Sequence, residues 1–396
     1  MIQAQTDSSI VIAGGGIVGM TLALALGRAG IPVDLVERRL PELDWPAGSV
    51  DLRVYAITRA SERLFAELGI WDDIASVAVS SFHKMHVWDA GGSGQITFDA
   101  AEVGQPWLGN IIESRIIVRA LYKALKTIDV VTLHCPAKVV SMCKLDDTRS
   151  IELDSGQILT TGLLVGADGK QSDVRDHAGI KDVQKSYQQQ AMVAVVSTEL
   201  SHQSTAWQRF LPTGPLAFLP LRDGRSSIVW SATTAEAKHL LQLDDAAFCQ
   251  ALSEAFDFRL GAVTDCSERV LFPLVRQHAE QYVGQGVALV GDAAHVIHPL
   301  AGQGVNLGLS DVRELASVIK AAVGKRQNPG SLANLRRYER ARKGDNLAMM
   351  TAMTAFKELF GSTVSPLRLL RNLGLNLIND AKPIKHQIMR SAMGLE

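Results

Sequence analysis

The spacing of apolar residues divides the chain into short buried strands and amphipathic helices. Residues 10–13 form an apolar run that stops at a cluster of glycines, as is typical of a parallel strand buried on both faces. Residues 20–30 have helical periodicity and 33–37 form another short strand, so the chain begins with a strand–helix–strand unit. Residues 163–169 and 287–292 repeat the pattern of a buried strand that ends in a turn. These patterns predict an α/β fold with a doubly wound parallel sheet.

Other stretches alternate between apolar and polar residues, which is typical of strands with one solvated face. Residues 85–88 and 95–98 flank the glycine-rich turn at 90–94, and a second β-rich stretch covers about 187–232. Segments with helical periodicity are 53–68, 116–125, the stretch that begins at about 304, and the basic tail from about 331. The chain therefore predicts an α/β domain that is interrupted twice by a β-rich domain and closed by C-terminal helices.

Composition narrows the class of protein. The chain has 396 residues and a formal net charge of −1, which leaves no basic excess for a nucleic-acid partner. Its longest apolar stretch, 16–27, is well short of the ~20 residues that span a bilayer, and the polar start has no signal-peptide pattern. The four cysteines form no C-x-x-C pair and are expected to be reduced thiols. We therefore expect a cytoplasmic protein that is soluble or at most peripheral on the inner face of the membrane.

The glycines after the first strand form a G-x-G-x-x-G motif at Gly14, Gly16 and Gly19. The first glycine permits a tight turn, the second lets a pyrophosphate approach the backbone, and the third allows close packing of helix on strand. The next helix offers free N–H groups and a positive dipole end to phosphates. Glu37 ends the second strand, where a carboxylate accepts hydrogen bonds from an adenosine ribose. The motif predicts a dinucleotide site and fits NAD and FAD equally well.

A second motif distinguishes these two dinucleotides. Gly166-Ala167-Asp168-Gly169 ends a buried strand in mid-chain and is followed by Ser172 and Arg175. A typical NAD dehydrogenase has no use for this segment, so it favours FAD. An aspartate at the end of a strand also forms ordinary Asx turns, and that alternative stays open from the residues alone.

The third motif is the most specific. Gly291-Asp292-Ala293-Ala294-His295 follows a buried strand, and then come Pro299 and the glycine-rich stretch 302–308. Asp292 is placed to accept a ribityl hydroxyl. The N–H groups from Gly304 to Asn306 are placed to face the N1–C2=O edge of a flavin, where the reduced ring concentrates negative charge. The three motifs together predict bound FAD.

In this order and spacing the motifs resemble the flavoprotein aromatic hydroxylases of the para-hydroxybenzoate hydroxylase type, and within them the ubiquinone-biosynthesis hydroxylases. The resemblance covers nearly the whole chain. Beyond the three motifs it rests on residues 51–57, 108–113, 218–221, 337–340, 370–375 and 392–395, and on Met85-x-Val87-Trp88-Asp89. It implies an FAD enzyme that uses NAD(P)H and O2 to hydroxylate a polyprenylated phenol or quinol.

Further expectations come from the same resemblance. Reduced flavin would react with O2 at C4a, and the hydroperoxide would transfer oxygen to the ring. By its overall pattern, including residues 85–89, the chain looks most like the member that hydroxylates ring carbon C5, with C6 as the alternative. Arg53 is expected near the flavin and nicotinamide, and Asp168 in a segment that serves both FAD and NAD(P)H. Since no second G-x-G-x-x-G occurs, NAD(P)H is expected to dock transiently.

The expected domain borders follow from the same patterns. The FAD-binding Rossmann-like domain comprises residues 1–78, 111–182 and 275–325, the substrate domain comprises 79–110 and 183–274, and the C-terminal helical region comprises 326–396.

The candidate site residues fall into two groups. Those expected to bind FAD are Gly14, Gly16, Val18, Gly19, Glu37, Arg38, Arg53, Asp168, Asp292, Pro299, Gly302, Gly304, Val305 and Asn306. Of these, Arg53, Pro299 and Gly302 are expected beside the flavin ring, and the sequence identifies no catalytic base. Phe218, Leu219, Pro220 and Trp230 are candidates for an apolar substrate pocket, with the protein core as the alternative. His295 and His298 have H-x-x-H spacing but lack a third ligand, so they are expected to be hydrogen-bonding loop residues and not a metal site.

Three other functions remain open on the sequence. A flavin halogenase shares the fold, but its W-x-W-x-I-P segment is absent from the chain. A prenyl-chain reductase shares it too, and oxygen consumption would separate the two activities. A non-catalytic assembly subunit could retain the fold, although the intact flavin motifs argue against it. The missing C-x-x-C pair argues against a flavin disulfide reductase.

The end of the chain is locally basic. Residues 366–396 place leucines and isoleucines among Arg368, Arg371, Lys382, Lys385 and Arg390. This pattern predicts either a terminal helix packed on the FAD domain or a surface for an anionic membrane or for a protein of a ubiquinone-biosynthesis complex.

Overall fold

The computed structural model describes residues 9–46, 48–146, 148–297, 304–361 and 365–395, without the side chains of 357, 365 and 367–370. Its strands are β1 (Ile10–Ala13), β2 (Val33–Val36), β3 (Val54–Thr58), β4 (Ser80–Phe82), β5 (Lys84–Asp89), β6 (Gln95–Asp99), β7 (Gly109–Glu113), β8 (Val131–His134), β9 (Val139–Leu145), β10 (Thr148–Leu153), β11 (Ile158–Thr161), β12 (Leu164–Gly166), β13 (Asp182–Thr198), β14 (Thr205–Leu211), β15 (Gly214–Pro220), β16 (Ser226–Thr233), β17 (Val263–Cys266), β18 (Val270–Ala279), β19 (Val283–Gly284), β20 (Val287–Leu289) and β21 (His295–Val296). Its α-helices are α1 (Ile17–Gly27), α2 (Arg59–Glu67), α3 (Trp71–Val77), α4 (Ser114–Leu125), α5 (Asp173–His177), α6 (Thr234–Gln242), α7 (Asp245–Ala255), α8 (Gly304–Gly324), α9 (Leu332–Gly361), α10 (Ser365–Asp380) and α11 (Lys382–Met393).

The short apolar runs form a six-stranded sheet in the order β19-β20-β12-β1-β2-β8. All neighbours are parallel except β19 and β20. Strands β1, β12 and β20 are buried along their whole length, which is why their sequences are continuously apolar and do not alternate. Helices α1, α4 and α8 pack into the same hydrophobic core as this sheet. The predicted α/β fold is confirmed.

A second, nine-stranded sheet is assembled from two separate parts of the chain. Its order is β21-β18-β13-β16-β15-β14-β5-β6, with β17 paired to β13. Helices α6 and α7 cover one face, and the other face lines the large cavity described below. Strand β18 crosses the border expected at residue 274, and β21 adds a strand from the segment assigned to the FAD-binding domain.

One secondary-structure prediction is wrong. Residues 53–68 were expected to be helical throughout, but Val54–Thr58 is strand β3, and helix α2 begins only at Arg59. Strand β3 pairs with β7, which is far away in sequence, so tertiary pairing outweighs the local pattern. Thr58 then starts the helix, because its side chain accepts a hydrogen bond from the N–H of Ser61.

Helix α10 covers the exposed edge of the large sheet. Backbone N–H groups of Gly94, Gln95 and Thr97 donate to three asparagine side chains on one face of the helix, which are Asn372, Asn376 and Asn379. Lys385 of α11 donates to the carbonyl of Thr97 and forms an ion pair with Glu102 at 2.8 Å. The C-terminal helices thus satisfy an edge strand that would otherwise be open to pairing with another chain.

This packing corrects part of the expectation for the basic tail. Arg371 and Lys385 are buried in ion pairs inside the protein and do not belong to a solvated basic face. Lys382 and Arg390 are exposed, and the side chain of Arg368 lies outside the described residues. None of the described helices combines the length and the hydropathy needed to cross a membrane.

Candidate active site

The turn between β1 and α1 has the backbone that a pyrophosphate needs. Gly14 has φ of +107°, and a Cβ atom on it would overlap the carbonyl oxygen of Ala167. A Cβ on Gly19 would overlap the carbonyl oxygen of Gly14, so helix and turn are in direct contact. A Cβ on Gly16 would meet nothing within 4 Å, because this residue faces the cavity. The open N-terminal turn of α1 can therefore receive an anion.

Glu37 is fixed at the end of β2 by the glycine turn itself. Its Oε2 accepts a hydrogen bond from the N–H of Gly15 at 2.6 Å, and its Oε1 accepts one from the N–H of Arg39 at 3.0 Å. A carboxylate has further acceptor positions on both oxygens, which remain for the hydroxyls of a ribose. Arg38 lines the same end of the cavity and is exposed.

Asp168 has one oxygen in use and one free. Its Oδ2 accepts a hydrogen bond from the N–H of Val174 at 3.1 Å, whereas its Oδ1 is buried without a partner among the described residues. Burial raises the pKa of Asp168, and the hydrogen bonds from Ser172 and Val174 act in the opposite direction. Asp168 lines the cavity, and its Oδ1 is a buried acceptor that still needs a hydrogen-bond donor.

Asp292 also lines the cavity, in a one-turn 3-10 helix, Gly291–Ala293. Its side chain is open to the cavity although the residue sits deep in the protein. Burial raises the pKa of Asp292, and His295 and Lys170 act in the opposite direction. Tyr55 also lines the cavity, and the pKa of its phenol is raised by burial and then by the charge of Asp292.

A buried hydrogen-bond network around Asp311, which the sequence reasoning missed, holds the segment that carries Asp292. Asp311 of α8 accepts hydrogen bonds from His295 Nε2 at 2.5 Å, from the N–H of Gly291 at 3.1 Å, from Arg342 Nε at 2.9 Å and from Asn346 Nδ2 at 3.2 Å. Burial would raise the pKa of Asp311, but His295 and Arg342 lower it below its usual value. The available signal was a carboxylate on the apolar face of a helix, since such a group needs a buried partner. His295 is a hydrogen-bonding residue of this segment, as expected.

The first turn of α8 opens onto the cavity. Gly304 and Val305 line it, and the first N–H groups of a helix have no partner within the helix. The Asn306 side chain points elsewhere, since it donates to the carbonyl of Ala56 at 2.8 Å and accepts from the N–H of Thr58 at 3.0 Å. It therefore anchors α8 to β3 and α2. Three residues singled out in the sequence, Pro299, Gly302 and His298, lie outside the described residues.

Arg53 projects into the cavity from a loop that two sequence segments hold together. Its guanidinium carbon lies 5.8 Å from the centre of the Phe272 ring. The N–H of Arg53 donates to Asp51 Oδ1 at 2.9 Å, and the N–H of Asp51 donates to Glu113 Oε2 at 2.8 Å. Segments 51–57 and 108–113, which carry the family resemblance, thus meet beside the cavity.

These features line a single cavity of about 1080 Å³. One end is bounded by the glycine turn, Glu37, Asp168 and Asp292. The other end lies against the nine-stranded sheet and α11, and it is lined mainly by apolar residues, among them Met85, Phe98, Ala206, Ala217, Leu219, Val229, Met389 and Met393. The volume lies at the upper end of what one small ligand requires, so the cavity has room for a dinucleotide beside an apolar ligand.

The substrate candidates are divided between the cavity and the core. Leu219 lines the cavity, but Phe218 and Trp230 are buried on the opposite face of the sheet, packed with residues of α6 and α7. Pro220 is buried and is absent from the cavity wall. Successive side chains of a strand point to opposite faces, so Phe218 and Leu219 could not share one pocket. The expectation that Phe218 and Trp230 face a pocket is corrected.

The donor set fits FAD. The open turn at Gly16, the unsatisfied acceptor of the cavity-lining Asp168, the cavity-facing carboxylate of Asp292 and the N-terminus of α8 match the parts of a flavin dinucleotide. Among the described residues no group of three His, Cys, Asp or Glu side chains could hold a metal ion, and the four cysteines are free thiols.

Comparison with known proteins agrees with this geometry. Residues 7–352 match the FAD binding domain family. The chain is 38% identical to the 3-demethoxyubiquinol 3-hydroxylase of Escherichia coli, over 98% of this chain and 99% of that protein. It is also 38% identical to a mitochondrial ubiquinone biosynthesis monooxygenase of Danio rerio, over 97% of this chain and 89% of that protein.

Solved structures show the same fold at lower identity. The p-nitrophenol 4-monooxygenase of Pseudomonas putida superposes with a TM-score of 0.79 at 19% identity, over 98% of both chains. The family match and the relatives together settle the membership of the chain. It belongs to the FAD-dependent monooxygenases, among the hydroxylases of ubiquinone biosynthesis.

Proposed function

We propose that the protein hydroxylates the aromatic ring of a polyprenylated phenol or quinol during ubiquinone biosynthesis, with NAD(P)H and O2 as co-substrates. The observation that carries the proposal is the cavity, in which a polar dinucleotide end continues into a large apolar end. A long isoprenoid substrate needs such an apolar wall, and the relatives named for ubiquinone biosynthesis support this class of substrate.

The polar end gives each part of FAD a partner. Glu37 would bind the adenosine ribose, and the open turn at Gly16 with the N-terminus of α1 would bind the pyrophosphate. Asp168 and Asp292 would accept hydroxyls of the ribityl chain, and the first turn of α8 would face the charged edge of the ring. When bound, FAD accepts a hydride from NAD(P)H and activates O2 for transfer to an electron-rich ring.

The task of the protein chain is to position the ring and to exclude water. The apolar wall formed by the large sheet and α11 keeps water away from the reacting atoms, which would otherwise lose oxygen as peroxide. Arg53 stands on the Phe272 side of the cavity, where its positive charge would favour a negatively charged ring edge or nicotinamide phosphate.

We propose hydroxylation at ring carbon C5, on the overall resemblance of the chain, including residues 85–89. The second candidate reaction is the hydroxylation of a demethoxyubiquinol. The name of the Escherichia coli relative favours this reaction, because 3-demethoxyubiquinol lacks one methoxy group of ubiquinol. These candidates differ in substrate and product, and not in cofactor or fold.

The deciding experiment supplies the FAD-loaded protein with NADPH, O2 and either a short-chain 2-polyprenylphenol or a short-chain demethoxyubiquinol. We expect one oxygen atom from isotopically labelled O2 in the product, and nuclear magnetic resonance of the product gives the ring carbon. If only the demethoxyubiquinol is turned over, hydroxylation at C5 of a polyprenylphenol is wrong and hydroxylation of the demethoxyubiquinol is supported. Oxidation of NADPH to give only peroxide with both substrates would contradict the proposed function.

We also propose that the C-terminal helices meet a membrane surface or a protein of a ubiquinone-biosynthesis complex. Lys382 and Arg390 are exposed, and so are Leu373, Leu377 and Ile384. A substrate with an isoprenoid tail dissolves in membranes, so an exposed apolar and basic surface beside the cavity wall would help to collect it.

A further inference from the structure

The floor of the apolar end of the cavity contains one row of residues that crosses four strands. Gln208 of β14 lies opposite Ala217 of β15, Ala217 lies opposite Val229 of β16, and Val229 lies opposite Val193 of β13. All four residues line the cavity. Three of them are small or aliphatic, so the amide of Gln208 is a polar group at the end of an apolar row.

This amide has no hydrogen-bond partner in the described part of the chain. Gln208 is 5% exposed, and among the described residues its side chain makes no hydrogen bond. Neither of its polar atoms is sealed in the core, so they face the cavity. An amide that faces a cavity and has no partner in the surrounding protein is available to a ligand.

The polar side chains near Gln208 differ in how far the protein satisfies them, and the Ser231 hydroxyl, which also lines the cavity, makes no hydrogen bond among the described residues either. The side chain of Trp207, the preceding residue, packs on the opposite face of the sheet, and its indole N–H donates to the carbonyl of His202 at 3.1 Å. Gln189 on β13 donates its amide N–H to the carbonyl of Thr213, but its Oε1 is buried without a partner among the described residues and does not face the cavity. Ala206 and Ala217 beside Gln208 have short side chains, so a flat ring has space to lie against the floor within reach of the amide.

We propose that Gln208 is a substrate-binding residue, whose amide hydrogen-bonds an oxygen substituent on the aromatic ring and so fixes which ring edge faces the flavin. An amide suits this task because it accepts a hydrogen bond from a phenol hydroxyl and donates one to a quinone or methoxy oxygen. The inference rests on the proposed function, since it assumes an oxygenated aromatic substrate. The apolar remainder of the row accepts the rest of the ring without competing for the amide.

The test compares Gln208→Leu with wild type in the FAD-loaded protein. Calorimetric titration measures the dissociation constants of a short-chain prenylated phenol and of its analogue with hydrogen in place of the hydroxyl. We expect wild type to prefer the phenol by about tenfold, as for one buried hydrogen bond to a ligand, and Gln208→Leu to lose that preference while it keeps its affinity for the analogue. Gln157→Leu, the same change at an exposed position, should behave as wild type.

Thermal unfolding separates binding from structure. Because Gln208→Leu removes an unsatisfied amide, its melting temperature should equal or exceed that of wild type. A variant that still prefers the phenol overturns the inference. So does a variant that unfolds at a much lower temperature and loses both ligands equally, because Gln208 would then be structural. If wild type binds neither ligand, the proposed function fails and the inference fails with it.

Discussion

Asp89 and Arg371 form a buried, two-pronged ion pair across 282 residues of chain. Arg371 Nε lies 2.8 Å from Asp89 Oδ2, and Nη2 lies 3.0 Å from Oδ1. Asn372 Nδ2 also donates to Asp89 at 2.9 Å, and Arg371 Nη1 donates to the carbonyls of Leu359 and Phe360. The pair ties the end of β5 to α10. It therefore holds the C-terminal helices, including the cavity-lining α11, against the large sheet.

Removing the charge of Asp89 should destabilise the protein strongly. Asp89→Asn keeps the shape of the side chain but leaves the Arg371 guanidinium buried without a counter-charge, so we expect the free energy of unfolding to fall by about 3–5 kcal/mol. Asp223→Asn is the matched control, because Asp223 pairs with Arg225 at the surface, where such a pair is worth about 0–1 kcal/mol. Urea unfolding measures both variants. Equal losses would mean that the Asp89 charge does not stabilise Arg371.

The sequence predicted the structure that depends on neighbouring residues better than the structure that depends on contacts between residues far apart in the chain. Strands β1, β2, β5, β6 and the glycine turn follow from runs of neighbouring residues, and the cofactor motifs share this property because each lies within one continuous segment of fewer than twenty residues. Strand β3 was missed because its partner β7 lies about fifty residues away. The Asp311 network was missed for the same reason, since His295 and Arg342 become neighbours only in the fold.

The two sides of a strand explain the remaining error at the site. Phe218 and Trp230 were candidates for an apolar substrate pocket, with the protein core as the alternative, and both belong to the core that faces α6 and α7. The alternation of β15 fixes that Phe218 and Leu219 point apart, but it does not tell which face a later helix covers. Gln208, which lies on the cavity side, gave no signal in the sequence because its unpaired state depends on the packing around it.

Asp292 should be required to retain FAD. Asp292→Ala removes a charged hydrogen-bond partner of the ribityl chain, which we expect to weaken FAD binding by roughly 1.5–3 kcal/mol. Flavin absorbance after gel filtration, and the dissociation constant of added FAD, measure the loss. Asp72→Ala, a change at an exposed carboxylate on α3, is the control and should leave binding unchanged. Retention of FAD at wild-type affinity by Asp292→Ala would refute the assigned role.

The negative charge of Asp292 should lower the stability of the FAD-free protein. Burial is the largest influence that raises the pKa of Asp292 above 3.8, against the opposing charges of His295 and Lys170. A carboxyl group whose pKa is higher in the folded state loses stability as the pH rises from the unfolded value through the folded value. We therefore expect Asp292→Asn to raise the melting temperature near pH 7 and to raise it less as the pH falls toward about 4. A gain that does not change with pH would assign the effect to shape and not to charge.

NAD(P)H should bind only transiently. The chain has one G-x-G-x-x-G motif, at Gly14. The turn of this motif lines the end of the cavity that fits FAD, so it is not available to a second nucleotide. Equilibrium dialysis of the FAD-loaded protein with NADPH, in the absence of substrate, should therefore detect no stable complex. Stopped-flow mixing should show NADPH oxidation that is slow until substrate is added. Tight, stoichiometric binding of NADPH without substrate would show a dedicated nucleotide site.

The C-terminal helices should bind anionic vesicles through their exposed residues. Lys382 and Arg390 are exposed basic residues of α11, whereas Arg371 and Lys385 are committed to internal ion pairs. Each basic residue near an anionic surface contributes about 1 kcal/mol, and this contribution falls with salt. We therefore expect Lys382→Glu/Arg390→Glu to sediment with anionic vesicles at least tenfold more weakly than wild type at low salt, and wild type to be released at high salt.

The control for the vesicle experiment must keep the helices folded. Arg371→Glu and Lys385→Glu would break buried ion pairs, so a loss of binding in those variants would report unfolding and not contact with lipid. Lys144→Glu/Lys185→Glu reverses two exposed charges outside the C-terminal helices and keeps the change in net charge the same. If this control and Lys382→Glu/Arg390→Glu bind alike, overall charge explains the attraction and α11 has no part in it. If wild type does not sediment with anionic vesicles at low salt, the exposed face of α10 and α11 is left for a protein partner.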